Sequence, residues 1–494
     1  MIIANLPALQ VVIPLLAAPI CAFMPTKRVA WILTVVVSFL CLIISLNLAY
    51  MVFNGSPISY YMGGWKPPFG IEYRVDMLNS FIAVIVSGVA SVTSIYAYNS
   101  IDDEVERSKQ PVFFATFLLC VAGLLGMCFT NDAFNIYVFL EISSLSTYAL
   151  IAMGKDRRAL IASFEYLVLG TIGATFFLIG IGLLYMMTGT LNISDLSLRV
   201  SQSPLMLDMT PIKAALAFLT VGLALKIAIF PLHLWLTNAY TNAPSFISAF
   251  LSATATKVSI YILIRIIFSI FGYEFAFTDM DLSKIFMTLA VIAIFVGSLV
   301  AIYQRNIKRM LAYSSVAQIG YIILGISLKN ELGNSAAVIH LFNHALAKAT
   351  LFMAVGCVVY RLGNARLESF SGIAKKMPIT VGAFVVAGLS LVGVPFTGGF
   401  ISKWFLLNAL LDANLWPVFI AVLVSSLLAL IYIWRVVETA CFKKCHPRNK
   451  KVQEAPMLMV LPMVLMAFAT VFFGIYTEPV IDFALRISEY LFSL

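Results

Sequence analysis

The sequence predicts an all-α, polytopic membrane protein of about fourteen transmembrane helices, and three observations carry that reading. Of its 494 residues, 61% are hydrophobic and only 11% charged, and the mean hydropathy is +0.98, far outside the range of soluble globular domains. Apolar runs of roughly 18 to 25 residues, the length that crosses a bilayer, recur along the whole chain. The connections between them alternate between rich and poor in lysine and arginine, as the loops of a multi-pass protein do.

The spans follow in order. The first apolar run, Ile2 to Met24, has no basic residue before it and is followed by Lys27 and Arg28. It therefore reads as a retained span, lacking the charged start of a cleaved signal peptide. Further spans begin near Ala30, Met77, Val112, Ala133, Ala159, Pro211, Phe246, Ile285, Met310, Ser335, Ile379, Leu415 and Pro456. One set of alternate loops holds nineteen basic residues, among them Lys27, Arg107, Arg158, Arg305, Arg309, Arg366 and Lys444, and the other holds seven. The richer set is expected in the cytoplasm, which puts both termini on the outer, periplasmic side of the cell (inner) membrane.

Several functions are excluded. The net charge of +9 is scattered in short clusters between apolar runs, which speaks for topology signals and against a nucleic-acid surface. Cys21, Cys41, Cys120, Cys128 and Cys357 lie inside apolar runs, so no disulfide framework is implied. Cys441, Cys445 and His446 form a loose C-x3-C-H, but without further ligands they read as ordinary loop residues. The longest outer connections, Asn54 to Asp76 and Thr188 to Thr210, are too short for a folded core. A Rossmann glycine fingerprint, a P-loop and a CxxC pair are absent, so no cofactor is expected.

What remains is chemistry inside the bilayer. An ionisable group near its centre costs roughly 2.5 to 3.5 kcal/mol, so each one retained there is a functional candidate. Glu141, Lys226, Lys257 and Lys403 fall near the middle of their spans. His340, His344 and Lys348 recur every four residues, which places two imidazoles and an amine on one helix face. Such a face packs poorly against lipid and makes a good proton path. A metal site competes for the two histidines, but Lys348 is cationic and no intramembrane aspartate or cysteine has a place beside them. Glu165, Arg265 and Arg435 lie nearer span ends, where a structural ion pair or snorkelling competes equally with function.

Two spans carry helix breakers beside their lysines. In GLALKIAIFPLHLWL, Gly222 to Leu236, Pro231 has no N–H for the Ile227 carbonyl, so the helix breaks or kinks next to Lys226. Unwound backbone at membrane depth is tolerated only where it lines a cavity or is buried in protein, and broken helices mark transport sites. Glu141 is the expected partner of Lys226. GLSLVGVPFTGGFISKWFLLNAL, Gly388 to Leu410, repeats the device with Pro395, Gly398, Gly399 and then Lys403. The two segments are five spans apart, and an odd offset inverts topology, which suggests an inverted repeat.

These residues carry a family resemblance. The run LKIAIFPLHLWLTNAYTNAPSFISAFLSATATKVSIYILIR, with FLEISSLSTYAL before it and HLFNHALAKATLF and GGFISKWF after it, resembles the proton-conducting antiporter-like subunits shared by Mrp sodium/proton antiporters and respiratory complex I. The segment GGWKPPFGIEYRVD is most similar to the D subunits of the Mrp branch. The resemblance implies fourteen helices containing two inverted five-helix repeats, each with a broken helix. It divides the chain into an N-terminal three-helix segment (1–111), a first repeat (112–271), a second repeat (272–441) and a C-terminal helix and tail (442–494). It also implies that Glu141 pairs with Lys226, that Lys257 bridges the halves, that His340 and His344 serve the second half and that Lys403 ends the series. Lys348 is an added member.

The expected function is proton translocation in a multisubunit Na+/H+ antiporter, with other membrane subunits as partners. The alternative is a non-redox, proton-pumping subunit of NADH:quinone oxidoreductase (complex I) or a related membrane-bound hydrogenase. Sodium favours clustered oxygen ligands, by analogy with other hard cations. Amines and imidazoles suit protons better.

Overall fold

A computed structural model describes residues 5–201, 209–445, 449 and 452–493. The first four residues of the chain, where the expected first span begins, and His446 lie outside them. The helices among the described residues are α1 (Leu6–Ala22), α2 (Lys27–Phe53), α3 (Met77–Glu104), α4 (Gln110–Phe129), α5 (Ala133–Ala152), α6 (Arg157–Thr188), α7 (Ile193–Ser201), α8 (Met209–Ile227), α9 (Leu234–Asn242), α10 (Ser245–Ala253), α11 (Ala255–Ile264), α12 (Leu282–Tyr303), α13 (Ile307–Ser327), α14 (Glu331–Leu362), α15 (Pro378–Val392), α16 (Gly398–Asp412), α17 (Trp416–Cys441), α18 (Met457–Ile475) and α19 (Glu478–Phe492). Among these residues, 12 helical segments are long and apolar enough to cross a membrane, and α1 and α15 are shorter apolar helices that complete the expected set.

Local chemistry sets many of the boundaries. Thr26, Asp76, Asp132, Asp156, Asn306 and Asn330 each accept a backbone N–H at the start of a helix, satisfying donors that have no intrahelical partner. At Asp76 the cap is reciprocal: Asn79 N–H donates to Asp76 Oδ1 and Asp76 N–H to Asn79 Oδ1. Gly189, Gly363 and Gly393 end α6, α14 and α15 in the left-handed conformation.

Burial sorts the spans into rim and centre. Only 28% of the apolar window of α17, and 39% in α2, α6 and α12, is covered by protein, against 94% for the α10–α11 span and 100% for α13. The rim helices therefore leave a face open to lipid or to partner subunits, and the central ones are covered by this chain. Small residues allow close approach, as where a Cβ on Gly222 of α8 would meet the Gly173 carbonyl of α6 at 2.6 Å.

Two successive groups of five spans each hold one interrupted helix pair. The first comprises α4, α5, α6, the interrupted pair α8 and α9, and the α10–α11 span. The second comprises α12, α13, α14, the interrupted pair α15 and α16, and α17. The two longest connections are not bare loops. Asn54 to Asp76 folds into an antiparallel hairpin of β1 (Ile58–Tyr61) and β2 (Glu72–Val75), with Ile58 opposite Val75. Residues 189–201 contain α7, and the C-terminal segment carries α19. The buried side of α19 comprises Val480, Ala484, Ile487 and Leu491, and on the same helix Ser488 accepts from Ser335 of α14 at 2.9 Å.

At the opposite end the basic loops converge. Arg158, Arg305, Arg309 and Arg366 line one cavity of ≈ 650 Å³. A neighbouring cavity of ≈ 530 Å³ is lined by Asp103, Glu104, Lys155 and Lys308 among others.

Candidate functional site

The first break is wider than a kink at Pro231. α8 stops at Ile227, Ala228 takes a left-handed φ of 64°, and α9 begins at Leu234. The unwound backbone is satisfied locally: Ile229 N–H donates to the Ala224 carbonyl at 3.0 Å, and the Trp235 indole N–H donates to the Leu225 carbonyl at 2.8 Å. Proline spacing alone puts the freed carbonyl at Ile227. The helix ends there instead, so the carbonyls taking new partners come earlier, at Ala224 and Leu225.

Lys226 occupies the last turn before the break and is 5% exposed. Its Nζ lies 3.7 Å from Glu141 Oε1 on α5 and donates to Ser144 Oγ at 2.8 Å and to Tyr148 OH at 3.5 Å. The expected pairing of Lys226 with Glu141 is thus present, supported by two hydroxyls that no sequence pattern singles out. His233, just beyond Pro231, is buried with Nδ1 unpartnered and its ring stacked on Phe230 at 5.4 Å.

Beside Lys226 lies a cavity of ≈ 20 Å³ lined by Ser144, Thr147, Tyr166, Ala255 and Ser259, which leads from α8 toward α11. That volume holds about one water molecule. It points to a third interruption, at Thr254 (φ −126°, ψ −59°), between α10 and α11. No proline or glycine announces it in SATATK, where Thr254 Oγ1 instead donates back to the Phe250 carbonyl at 2.8 Å. Lys257 sits at this break, fully buried, donating to the Ser252 carbonyl and to Thr256 Oγ1 at 3.4 Å. Both of these partners are neutral.

On α14, His340, His344 and Lys348 share one face, as their spacing requires. The imidazoles of His340 and His344 are parallel, with centroids 5.9 Å apart. His340 bridges two helices, with Nδ1 2.8 Å from Ser402 Oγ and Nε2 2.9 Å from Gln318 Oε1. His344 is buried with both ring nitrogens unpartnered. Lys348 turns away to the Leu311 carbonyl at 2.7 Å and to Ser314 Oγ.

The second expected break lies between Val392 and Gly398 and contains Pro395. Gly393 (φ 90°) and Phe396 (φ 68°) are left-handed there. Gly399 is required by contact: a Cβ would sit 1.8 Å from the Ser390 carbonyl oxygen. Gly398 carbonyl accepts from Asn343 Nδ2 at 2.6 Å, tying the break to α14. Lys403 reaches back across the break to the Leu391 and Val392 carbonyls at 3.0 and 2.8 Å and to Ser426 Oγ at 3.0 Å, with Tyr321's ring centroid 4.8 Å away.

Of the three residues nearer span ends, Glu165 accepts from Asn238 Nδ2 at 2.6 Å. Arg435 caps the end of α12 through the carbonyls of Ile302 and Gln304. Arg265 is buried and paired with Asp76. A further ion pair is invisible to sequence spacing: the buried Lys308 lies 3.7 Å from the partly exposed Glu104, whose carboxylate also accepts the N–H and hydroxyl of Ser245 at the start of α10. Among the described residues, no three His, Cys, Asp or Glu side chains gather as a metal site.

Each member of the series lies well inside its span, on helices side by side. The arrangement can hold protons on separated amines and imidazoles and pass them through hydroxyls and single waters.

Comparison with known proteins gives a consistent match. Residues 130–429 match the family model described as NADH:quinone oxidoreductase/Mrp antiporter, TM. The chain is 42% identical to NADH-quinone oxidoreductase subunit N of Desulforudis audaxviator (strain MP104C), over 97% of both chains. It is 28% identical to the D subunit of the Na(+)/H(+) antiporter of Bacillus subtilis (strain 168), over 99% of this chain and 97% of that one. Among solved structures, a chain of the membrane-bound sulfane sulfur reductase, an archaeal respiratory membrane complex, superposes with a TM-score of 0.89 at 31% identity, covering 99% of this chain and 98% of that one. A chain of the Mrp complex from Dietzia sp. DQ12-45-1b superposes with a TM-score of 0.90 at 25% identity, covering 100% and 98%.

Proposed function

This chain belongs to the NADH:quinone oxidoreductase/Mrp antiporter transmembrane family, and we propose that it is the proton-translocating subunit of a multisubunit Na+/H+ antiporter. The observation that carries the proposal is Lys226 at a broken helix with Glu141 at 3.7 Å. It is a switchable ion pair beside unwound backbone, inside a membrane span.

Protons pass from the Glu141–Lys226 pair through Lys257 to Lys348, His344 and His340 on α14, and end at Lys403, whose neighbour Ser402 meets His340. The breaks at Pro231 and Pro395 supply unwound backbone beside Lys226 and Lys403; Gly398 and Gly399, expected as part of the second break, instead open the helix that follows it. The first repeat covers 112–271 and the second 272–441, flanked by 1–111 and 442–494. The basic end faces the cytoplasm and both termini lie outside the cell membrane, a reading supported by the loop charges.

A second reading has its own support: the 42% identity to an NADH-quinone oxidoreductase subunit favours a redox-driven membrane arm, in which partner subunits drive the same proton path. Purification of the native protein in mild detergent, with mass spectrometry of its partners, separates the two. Small hydrophobic antiporter subunits support the first reading, and flavin or iron–sulfur subunits the second. Proton translocation itself is tested in vesicles containing the assembled complex: a Lys226→Ala variant that assembles and still translocates sinks the proposal.

A further inference from the structure

Lys257, Tyr261 and Arg265 recur every four residues and so share one face of the α11 helix and its continuation. At Arg265 the winding changes: Arg265–Ile270 is a π-helical turn, a local widening that is frequent at functional sites. Arg265 Nε donates to Tyr261 OH at 3.2 Å, and its fork pairs with Asp76. Tyr261 OH in turn donates to the Cys128 carbonyl at 2.8 Å. Arg265 is 8% and Asp76 2% exposed.

Polar contacts continue outward from Asp76. Asn79, its capping partner, donates to the Arg74 carbonyl at 2.6 Å, and Arg74 donates to Ser194 Oγ at 2.9 Å. Asn131 donates to Ser194 and also, at 2.8 Å, to Glu72 on the hairpin. Polar groups therefore lead from Tyr261, one helical turn along from Lys257, to the hairpin face.

We infer that Tyr261, Arg265 and Asp76 form a gated proton exit from Lys257 to the hairpin face. This rests on the proton-translocation reading above. Arg265 remains charged throughout, because guanidinium does not give up its proton, so it acts as the latch and Asp76 as the carrier. When Arg265 swings off Asp76, a proton leaves the Lys257 ammonium through the Tyr261 hydroxyl. It forms an O–H bond on the Asp76 carboxylate, leaving Lys257 neutral. The open latch also admits water to this otherwise covered carboxyl, Asp76 releases the proton to that water toward the hairpin face, and its restored carboxylate recaptures Arg265.

The competing explanation is a passive staple holding the hairpin to α11. A buried ion pair with only a structural role is commonly replaceable by apolar residues without loss of stability; because Asp76 also caps α3, the unfolding temperature is read beside exchange, and together these separate the two. The test uses the assembled complex in vesicles with four variants: Asp76→Leu/Arg265→Met, Arg265→Lys, Tyr261→Phe and Lys226→Ala. The exit predicts that the apolar double variant assembles with exchange reduced about tenfold or more, that Tyr261→Phe also loses exchange, and that Arg265→Lys retains a measurable part. An assembled double variant exchanging within about twofold of the parent overturns it. If the double variant does not assemble, Tyr261→Phe decides: unchanged exchange overturns the exit, and lost exchange with intact assembly supports it. Failure of Lys226→Ala to lose exchange removes the underlying reading. Loss there with unchanged exchange in the apolar double variant removes only the exit.

Discussion

Lys226 and Glu141 stand 3.7 Å apart, while the same amine bonds the Ser144 hydroxyl at 2.8 Å. The pair is within Coulombic reach but beyond a hydrogen bond, so the two groups are coupled without being locked.

Glu141→Ala and Lys226→Ala are each expected to lower proton exchange about tenfold or more, while leaving assembly intact. Because the glutamate side chain retains 21% exposure, the pair does not sit in a sealed core. Exchange in vesicles, read beside subunit composition, checks both parts.

Trp235→Phe keeps an aromatic ring against Tyr166, whose centroid lies 3.9 Å from the indole, but removes the donor to the Leu225 carbonyl. That carbonyl keeps the longer bond from Ala228 N–H at 3.3 Å, so losing the indole donor should cost about 0.5–1.5 kcal/mol. A lowered unfolding temperature of the purified protein would show it.

His344→Leu separates stability from transport. It removes two buried ring nitrogens that have no partner, so thermal stability should hold or rise, since unpaired buried polar atoms are costly. Transport should nevertheless fall. A variant that unfolds earlier and transports normally would reverse both halves of the expectation.

Glu72 gives a pH prediction outside the spans. Burial alone would raise its carboxyl, but hydrogen bonds from Asn131, Ser59 and Asn192 and the charge of Arg74 outweigh it and hold the group below its ordinary value. A lowered folded value stabilises the ionised form: the contribution is complete above the ordinary glutamate range of about 4.3 and is lost as pH falls through the folded value. Acid should therefore loosen the hairpin, seen as faster proteolysis between Asn54 and Asp76. Glu72→Gln should flatten that dependence.

The spans are legible because hydropathy and length are properties of contiguous sequence. The expected starts at Met77 and Ala133 are the first residues of α3 and α5. The breaks at Pro231 and Pro395 are legible because a missing N–H is written in the residue itself. The break at Thr254 is not, since serine and threonine are ordinary inside apolar helices and only packing shows where one unwinds. The costly ions are legible one at a time. Their company is not: Asp76 and Arg265 are 189 residues apart in sequence, and the Gln318, Ser402 and Ser426 partners carry no charge to draw notice.

On the proposed path, the series from Glu141 to Lys403 steps from α5 and α8 to α11, α14 and α16, across the spans except for the two turns of α14 between His340 and Lys348. Moving one charge across a membrane costs or yields about 2.3 kcal/mol per 100 mV, but only for displacement along the membrane normal. A proton following that path would do little work against the transmembrane voltage on the steps between spans. The voltage would act on the steps along helix axes and on the legs that join the series to either face, so those would set how the protein responds to membrane potential.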